Sequence, residues 1–519
     1  MEIERNENEG MDSPKGGFSI IISLAVLKFL LHFAVSITGG YGIFRDEYYY
    51  LACSKHLALG YVDHPPLSII LLAISNFILG DSLLALRILP AVAGALVVFF
   101  TGAIIREMGG GKFAQVLGCI AVIAIPGMLG VHNMYSMNAF DHVFWILAFY
   151  IVVRLLRTGD AKLWLCLGLV LGFGLQNKIS VLLLGLGLVA GLLLTNSRRY
   201  LKDKHLWIAG LIAVAIFLPY IIWQIANGWP TLEFIANASQ FKMVELSPGD
   251  FLGEQIMQTN PVLFPLWLSG LVFLLFIKSG RKYRMLGIAY LAVFIVMAAQ
   301  KSKPYYLLGA YPVLMAAGAV AWERMISVRR FAWLKVLIVS VIILSGVASA
   351  PFALPILPEA EFIKYQEAAG MKPSSGEIYD SGDLPQHFAD MHGWENMAAA
   401  VSGVYHGLSG NDKSEAVILA GNYGEAASLE YYGEKYDLPD VVCNHNSYWH
   451  WGYKGAGGRV VIALGWERSN YEEYFEEVVP VDTVRSEYSM PYESNLPIFL
   501  CRRIKIPLGD LWPRLKFYI

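Results

Sequence analysis

From residue 18 to about residue 350 the chain alternates long apolar runs with short polar connectors, and beyond that point the alternation stops. A helix rises 1.5 Å per residue, so about 20 mainly apolar residues cross the roughly 30 Å of hydrocarbon in a bilayer. By that measure the runs at about 18–38, 85–105, 113–130, 141–157, 163–177, 179–196, 206–226, 261–278, 285–300, 305–322 and 332–350 predict about 11 spanning helices. Leu67–Leu79 is shorter and follows Pro65-Pro66, which fits either a membrane-surface helix or a re-entrant piece. The first run is longer than a signal-peptide core, and Gly39-Gly40 offers no small-residue cleavage pattern, so it reads as a retained span.

Residues 351–519 have a different character, with most of the acidic side chains and short strand-like runs at Ala416–Ala420 and Val460–Leu464. Helical stretches such as Gly393–His406 lie between them, a pattern that predicts a small α/β domain with its own core. The expected organisation is therefore a polar, disordered tail over 1–17, a transmembrane domain over 18–350 and a water-facing α/β domain over 351–519.

Composition agrees. Charged residues make up 16% of the 519 positions against about 25% in soluble domains, and mean hydropathy is +0.48. A net charge of −2 gives no basic face for a nucleic acid. The five cysteines form no metal-binding spacing; Cys443 and Cys501 are either a disulfide pair or two free thiols.

The distribution of basic residues sets an orientation. Alternate loops carry Arg106 and Lys112; Arg154, Arg157 and Lys162; Arg198, Arg199, Lys202 and Lys204; Lys278, Arg281, Lys282 and Arg284; then Arg324, Arg329, Arg330 and Lys335. Loops on the opposite side carry few, mainly Arg45, Lys55, Lys242, Lys301 and Lys303. The positive-inside rule makes the first set and the N-terminus cytoplasmic. It puts 39–84, 131–140, 227–260 and everything after about 351 outside an inner (plasma) membrane.

Candidate chemistry gathers on that outer side. The first external loop holds Asp46 and Glu47 beside Tyr48, Tyr49 and Tyr50, just past the end of a span. Carboxylates at a membrane boundary are costly unless something solvates them, which marks them as functional candidates; the alternative is a polar loop with an interfacial tyrosine belt. The second external loop places Asp141 at the mouth of the next span between His132 and His142. That trio has ligand types suited to a metal, and Asp141 alone also suits a helix N-terminus. Arg87, Lys178, Lys301 and Lys303 stand at external ends of other spans, where they fit either a lipid phosphate or snorkelling to the interface. His445, Tyr448, Trp449, His450 and Trp451 form an aromatic cluster that reads as core packing, a membrane-facing edge or a sugar-stacking surface.

The order RDE-YYY, YVDHPPL, ALRILPAVAGAL, MNAFDHVFW, GLQNKIS and KSKPYYLLGAYP resembles family 39 glycosyltransferases over roughly residues 20–350. These are GT-C-fold membrane enzymes that include protein O-mannosyltransferases and the transferase that adds aminoarabinose to lipid A. The resemblance implies a polyprenyl-phosphate sugar donor and an acceptor hydroxyl on a protein, a glycolipid or a cell-surface polymer. It also implies inversion at the anomeric carbon, with Asp46 as general base and Glu47 and Asp141 orienting the substrates. His64, Arg87, Lys178, Lys301, Lys303 and Tyr305 are then the candidates for holding the donor phosphate. Some relatives have a lysine where this chain has His64, which supplies less charge. The inverting mechanism requires no metal. The runner-up function is a transporter or flippase of a lipid-linked solute, for which mid-span charges and paired broken helices would be the signatures; neither is evident, since the acids gather in the external loops and no half-to-half repeat is visible.

Overall fold

The computed structural model describes residues 17–38, 41–300, 302–326 and 331–519. The N-terminal tail up to residue 16, Lys301, Arg329 and Arg330 therefore lie outside the described residues. The chain forms two compact units, each assembled from separate stretches: 1–39, 87–221 and 245–356 in the first, and 40–86, 222–244 and 357–519 in the second.

The chain is a multi-pass membrane protein. All eleven apolar runs fall on helices, but they are not all equally long. Among the described residues, seven helices are long and apolar enough to span: Ser19–Thr38, Leu83–Glu107, Met137–Thr158, Lys204–Ala226, Arg281–Ala299, Pro304–Met325 and Ala332–Phe352. Two further candidates are bent pairs, Val181–Leu193 with Asn196–Lys202 at 103° and Pro248–Gln258 with Pro261–Leu275 at 97°. Counting each pair as one span gives nine. The remaining two runs form shorter helices, Lys112–Ile123 and Leu163–Asn177. Pro126 explains the first of these, since it cannot continue a helix and instead starts the next one, Pro126–Val131.

Within the first unit the helices approach closely through small residues, as membrane interiors favour. A methyl group on Gly270 would meet the Leu314 carbonyl oxygen at 2.0 Å, and one on Gly318 the Leu266 oxygen at 2.1 Å, so Phe264–Leu275 and Tyr311–Met325 cross almost backbone to backbone. Other helices keep apolar side chains outward: Leu211 is 70% exposed and Val336 71%, as lipid-facing positions require.

The second unit contains the α/β element. Five strands, β1 Ala416–Ala420, β2 Val441–Cys443, β3 Val460–Ala463, β4 Phe475–Val484 and β5 Leu496–Ile504, lie in the order β2-β1-β3-β5-β4. The first three are parallel and the last two pairings antiparallel. β3 is buried at every position, as a central strand should be. The edge strand β4 is protected by Glu476, Glu477, Asp482 and an irregularity at Pro480. Cys443 and Cys501 sit on β2 and β5, which β1 and β3 separate, and both are buried free thiols. Helix Tyr423–Tyr436 connects β1 to β2 and packs on helix Arg45–Lys55. Just past the ends of β1 and β3 the backbone closes at Gly421 and Gly465, where a methyl group on Gly421 would lie 2.6 Å from the Gly465 Cα.

Candidate active site

Asp46 and Glu47 both belong to the first turn of helix Arg45–Lys55, yet they face different tasks. Glu47 is fully buried, and its Oε2 accepts a hydrogen bond from the Phe44 N–H at 2.9 Å, so it caps its own helix. Asp46 keeps 38% of its side chain exposed. Its Oδ1 accepts a hydrogen bond from the Tyr423 hydroxyl at 2.9 Å and lies 3.5 Å from Arg45 Nε. Burial pushes the Tyr423 phenol well above its usual range, which keeps it protonated and donating.

Arg45 is held in turn. Its Nη1 donates to the Tyr492 hydroxyl at 2.8 Å and lies 3.6 Å from Asp390 Oδ2, and its guanidinium carbon is 5.6 Å from the centre of the Tyr423 ring. Asp390 is buried, and loss of water raises its carboxyl to about 6 against the opposing pull of Arg45. A second acid pair lies behind Tyr423. Asn422 Nδ2 donates to Glu425 Oε1 at 2.8 Å and to Glu493 Oε1 at 2.9 Å. Burial raises both carboxyls, Glu493 to about 7. None of these C-terminal partners was singled out from the sequence.

His64 is sealed in the same unit. Its Nδ1 is 3.0 Å from the Pro65 carbonyl oxygen, its Nε2 3.8 Å from Asp63 Oδ1, and its ring stacks on Tyr50 at 4.9 Å. Asp63 also accepts from Tyr49 at 3.0 Å, and burial raises its carboxyl.

In the first unit, three of the expected residues come together. Ser136 accepts from the Asn138 N–H at 3.3 Å and starts helix Met137–Thr158, which carries Asp141 one turn in. Asn177 donates to the Met137 carbonyl oxygen at 2.8 Å and fixes the end of helix Leu163–Asn177 against that start. Lys178 follows immediately. Its ammonium donates to Asn138 Oδ1 at 2.7 Å and lies 3.9 Å from the centre of the Tyr306 ring and 5.7 Å from that of Tyr305. Two residues on, Ser180 Oγ donates to Asp141 Oδ2 at 3.2 Å. Lys303 immediately precedes the short 3-10 helix that supplies both tyrosines, and Arg87 is buried on helix Leu83–Glu107. Asn138 and Tyr306 were part of the motifs but had not been assigned a role. Of the metal-type trio, His142 Nδ1 pairs with His132 Nε2 at 3.3 Å while Asp141 turns to Ser180. Among the described residues no group of three or more His, Cys, Asp or Glu side chains is arranged to hold a metal ion.

The architecture is that of the GT-C membrane glycosyltransferases. The structure is similar to ArnT from Cupriavidus metallidurans bound to undecaprenyl phosphate, with a TM-score of 0.59, 15% identity and coverage of 93% of this chain and 97% of that one. The apo state of the same protein gives 0.56 and 13% over the same shares. The apo oligosaccharyltransferase of Archaeoglobus fulgidus matches at 0.49 and 12%, over 87% of this chain and 66% of that one. The family model described as dolichyl-phosphate-mannose-protein mannosyltransferase matches residues 63–223. The motif resemblance to family 39 glycosyltransferases is thereby borne out, and the family match points to a polyprenyl-phosphate-linked glycosyltransferase. The matched stretch contains His64, Arg87, Asp141 and Lys178, and it begins after Asp46. Curated proteins give no match.

Proposed function

We propose that this chain is an inverting glycosyltransferase that moves a sugar from a polyprenyl phosphate to an acceptor hydroxyl on the extracytoplasmic side, with Asp46 as general base. The observation that carries the reading is the pairing of an accessible Asp46 carboxylate with the fixed Tyr423 hydroxyl and the Arg45 guanidinium. Asp46 accepts the proton of the acceptor hydroxyl as its oxygen bonds to the anomeric carbon. The bond from that carbon to the phosphate oxygen breaks, and its electron pair leaves with the polyprenyl phosphate. Glu47 supports this step by holding the first turn of the helix that presents Asp46.

The leaving phosphate needs electrostatic stabilisation and no proton. We assign that role to Lys178, with Arg87, Lys301, Lys303 and Tyr305 contributing, and Asp141 keeping the Lys178 loop in place through Ser180. The bound undecaprenyl phosphate of the similar ArnT structure supports a donor of this chemistry. His64, buried against Asp63 and Pro65, acts by shaping the loop. The basic residues of five alternate loops support the orientation, an inner-membrane location and a water-facing 351–519 domain.

A transporter or flippase of a lipid-linked solute is a second reading, and one observation favours it. Lys28 sits in the middle of span Ser19–Thr38, wholly buried, in a unit that also buries His32, His132 and His142. Ionisable groups at such depth mark ion or substrate paths in many membrane proteins. The test is sugar release from radiolabelled polyprenyl-phosphate sugars by the purified protein, wild type beside Asp46→Asn. Transfer by wild type alone supports the transferase. Movement of intact donor across vesicles by both proteins, without sugar release, supports the transporter.

A further inference from the structure

The second unit contains a cavity of about 500 Å³ that the reaction at Asp46 does not use. Its wall includes Lys55, His56, Trp223, Asn227, His450 and Trp451. The volume lies within the range of small-molecule sites, roughly 300–1,000 Å³. The aromatic wall is closely packed. His56 stacks on Trp451 with ring centres 4.2 Å apart and planes 17° apart, and the edge of Tyr448 supports the same indole at 4.4 Å. Trp223 packs on His450 at 5.8 Å, and His450 Nε2 is fixed 2.9 Å from the Tyr518 hydroxyl. The polar groups are few and placed at the sides. Asn227 commits its amide nitrogen to the Trp223 carbonyl oxygen at 2.8 Å, which leaves its amide oxygen as an acceptor. Among the described lining residues Lys55 is the one Lys, Arg, Asp or Glu side chain, and it is exposed.

An indole wall with a sparse rim of hydrogen-bonding groups and one cation suits a particular class of ligand. A pyranose ring has an apolar C–H face that lies on an aromatic plane and a belt of hydroxyls that needs polar partners. The cation selects a ring that is neutral or negatively charged over a basic one. Trp223 stands near the C-terminal end of helix Lys204–Ala226, one of the candidate spans.

Helix Arg45–Lys55 supplies a scale. Asp46 stands at its start and Lys55 at its end, nine residues of rise or about 13 Å apart along the axis. A sugar in the cavity is therefore too far along the helix to be the ring whose hydroxyl reacts at Asp46.

We propose that this cavity is an acceptor subsite for a saccharide unit, neutral or acidic, several bond lengths beyond the reacting hydroxyl. The acceptor is then a glycan of at least two sugar units, in place of a bare protein side chain. This rests on the transferase reading above.

The test is saturation-transfer NMR on the purified full chain in nanodiscs, using a glucuronate-containing disaccharide, a neutral disaccharide and a serine/threonine peptide as probes. Wild type and Asp46→Asn should bind both disaccharides alike, with saturation passing to ring C–H protons. Trp451→Ala should weaken both by about tenfold, through loss of the indole that backs the His56 ring. The exposed changes Lys55→Gln and Asn227→Ala leave the packing alone. Lys55→Gln should weaken the glucuronate probe alone, by about fivefold. The subsite is overturned if neither disaccharide binds wild type, if binding survives all three cavity variants, or if only the peptide binds. Disaccharide binding with no donor turnover in any assay would keep the subsite as a sugar site and overturn the transferase reading alone.

Discussion

Asp46 and Asp141 stand at comparable points in the chain, each in the first turns of a helix, but their surroundings differ in kind. Asp46 is part-exposed and touches a phenol and a guanidinium. Asp141 is 3% exposed and receives a hydrogen bond from Ser180, two residues from a lysine that is occupied by an amide and two aromatic rings. A base must exchange protons with a substrate, so it needs access as well as fixed orientation. A buried carboxylate tied to its neighbours can orient a loop but has no room to receive a proton from an acceptor. On the proposed mechanism the same residue type divides into a reacting acid and a framing acid, a division that rests on burial and partners.

The contrast can be broken most directly at Asp46. Asp46→Asn should lower single-turnover sugar transfer by about a thousandfold while donor binding stays within about twofold of wild type. Equal losses in binding and turnover would remove the base assignment. Lys178→Met comes next: an expected drop of about a hundredfold in kcat/KM together with weaker binding of free polyprenyl phosphate. Unchanged affinity for the lipid phosphate would take the lysine out of the donor site. Tyr423→Phe removes one hydrogen bond to Asp46 and should reduce kcat by about tenfold with KM for the donor unchanged. A change confined to KM would argue against a role in holding the base.

The smallest effect concerns stability. Burial raises the Glu493 carboxyl to about 7, so the folded chain binds this proton more tightly than the unfolded chain does. Stability linked to this group is therefore highest in acid and falls as pH rises from the normal glutamate range, about 4.3, towards 7. Glu493→Gln, which mimics the protonated form and still accepts from Asn422, should flatten that dependence and raise the midpoint at pH 7.5 by about 2 °C. An unchanged slope of melting temperature against pH would contradict the assignment.

Asp46, Asp141 and Lys178 stood out in the sequence as candidates because an ionisable side chain beside a long apolar run contrasts with its neighbours. The helices were legible for the same reason, through run length. What escaped was anything depending on a distant partner. Tyr423 is one of 28 tyrosines and meets Asp46 across 377 positions. Arg45 finds Tyr492 across 447. No local period or spacing encodes such pairings, since the sheet and the helix after β1 bring them together. Glu47 illustrates a subtler limit. Its capping role follows from its third place in the helix, but the residue at the cap is Phe44, whose side chain carries none of the usual capping oxygens. Lys28 was not picked out within the first span, and only packing reveals that it is buried within the unit and does not snorkel to the interface.

The closure at Gly421 and Gly465 has a consequence for mutational tolerance. A methyl group on Gly421 would overlap the facing backbone, and Gly465 also holds a φ of +96° that side-chain-bearing residues rarely adopt. Gly421 is two residues from Tyr423, and its N–H donates to Glu425 Oε2 at 2.7 Å. Alanine at either glycine would push the ends of β1 and β3 apart and carry the start of helix Tyr423–Tyr436 with them. A change with no chemistry of its own would then disable the protein by moving one phenol away from Asp46. In a set of randomly mutated genes selected for activity, these two glycines should be as invariant as the acid they never touch.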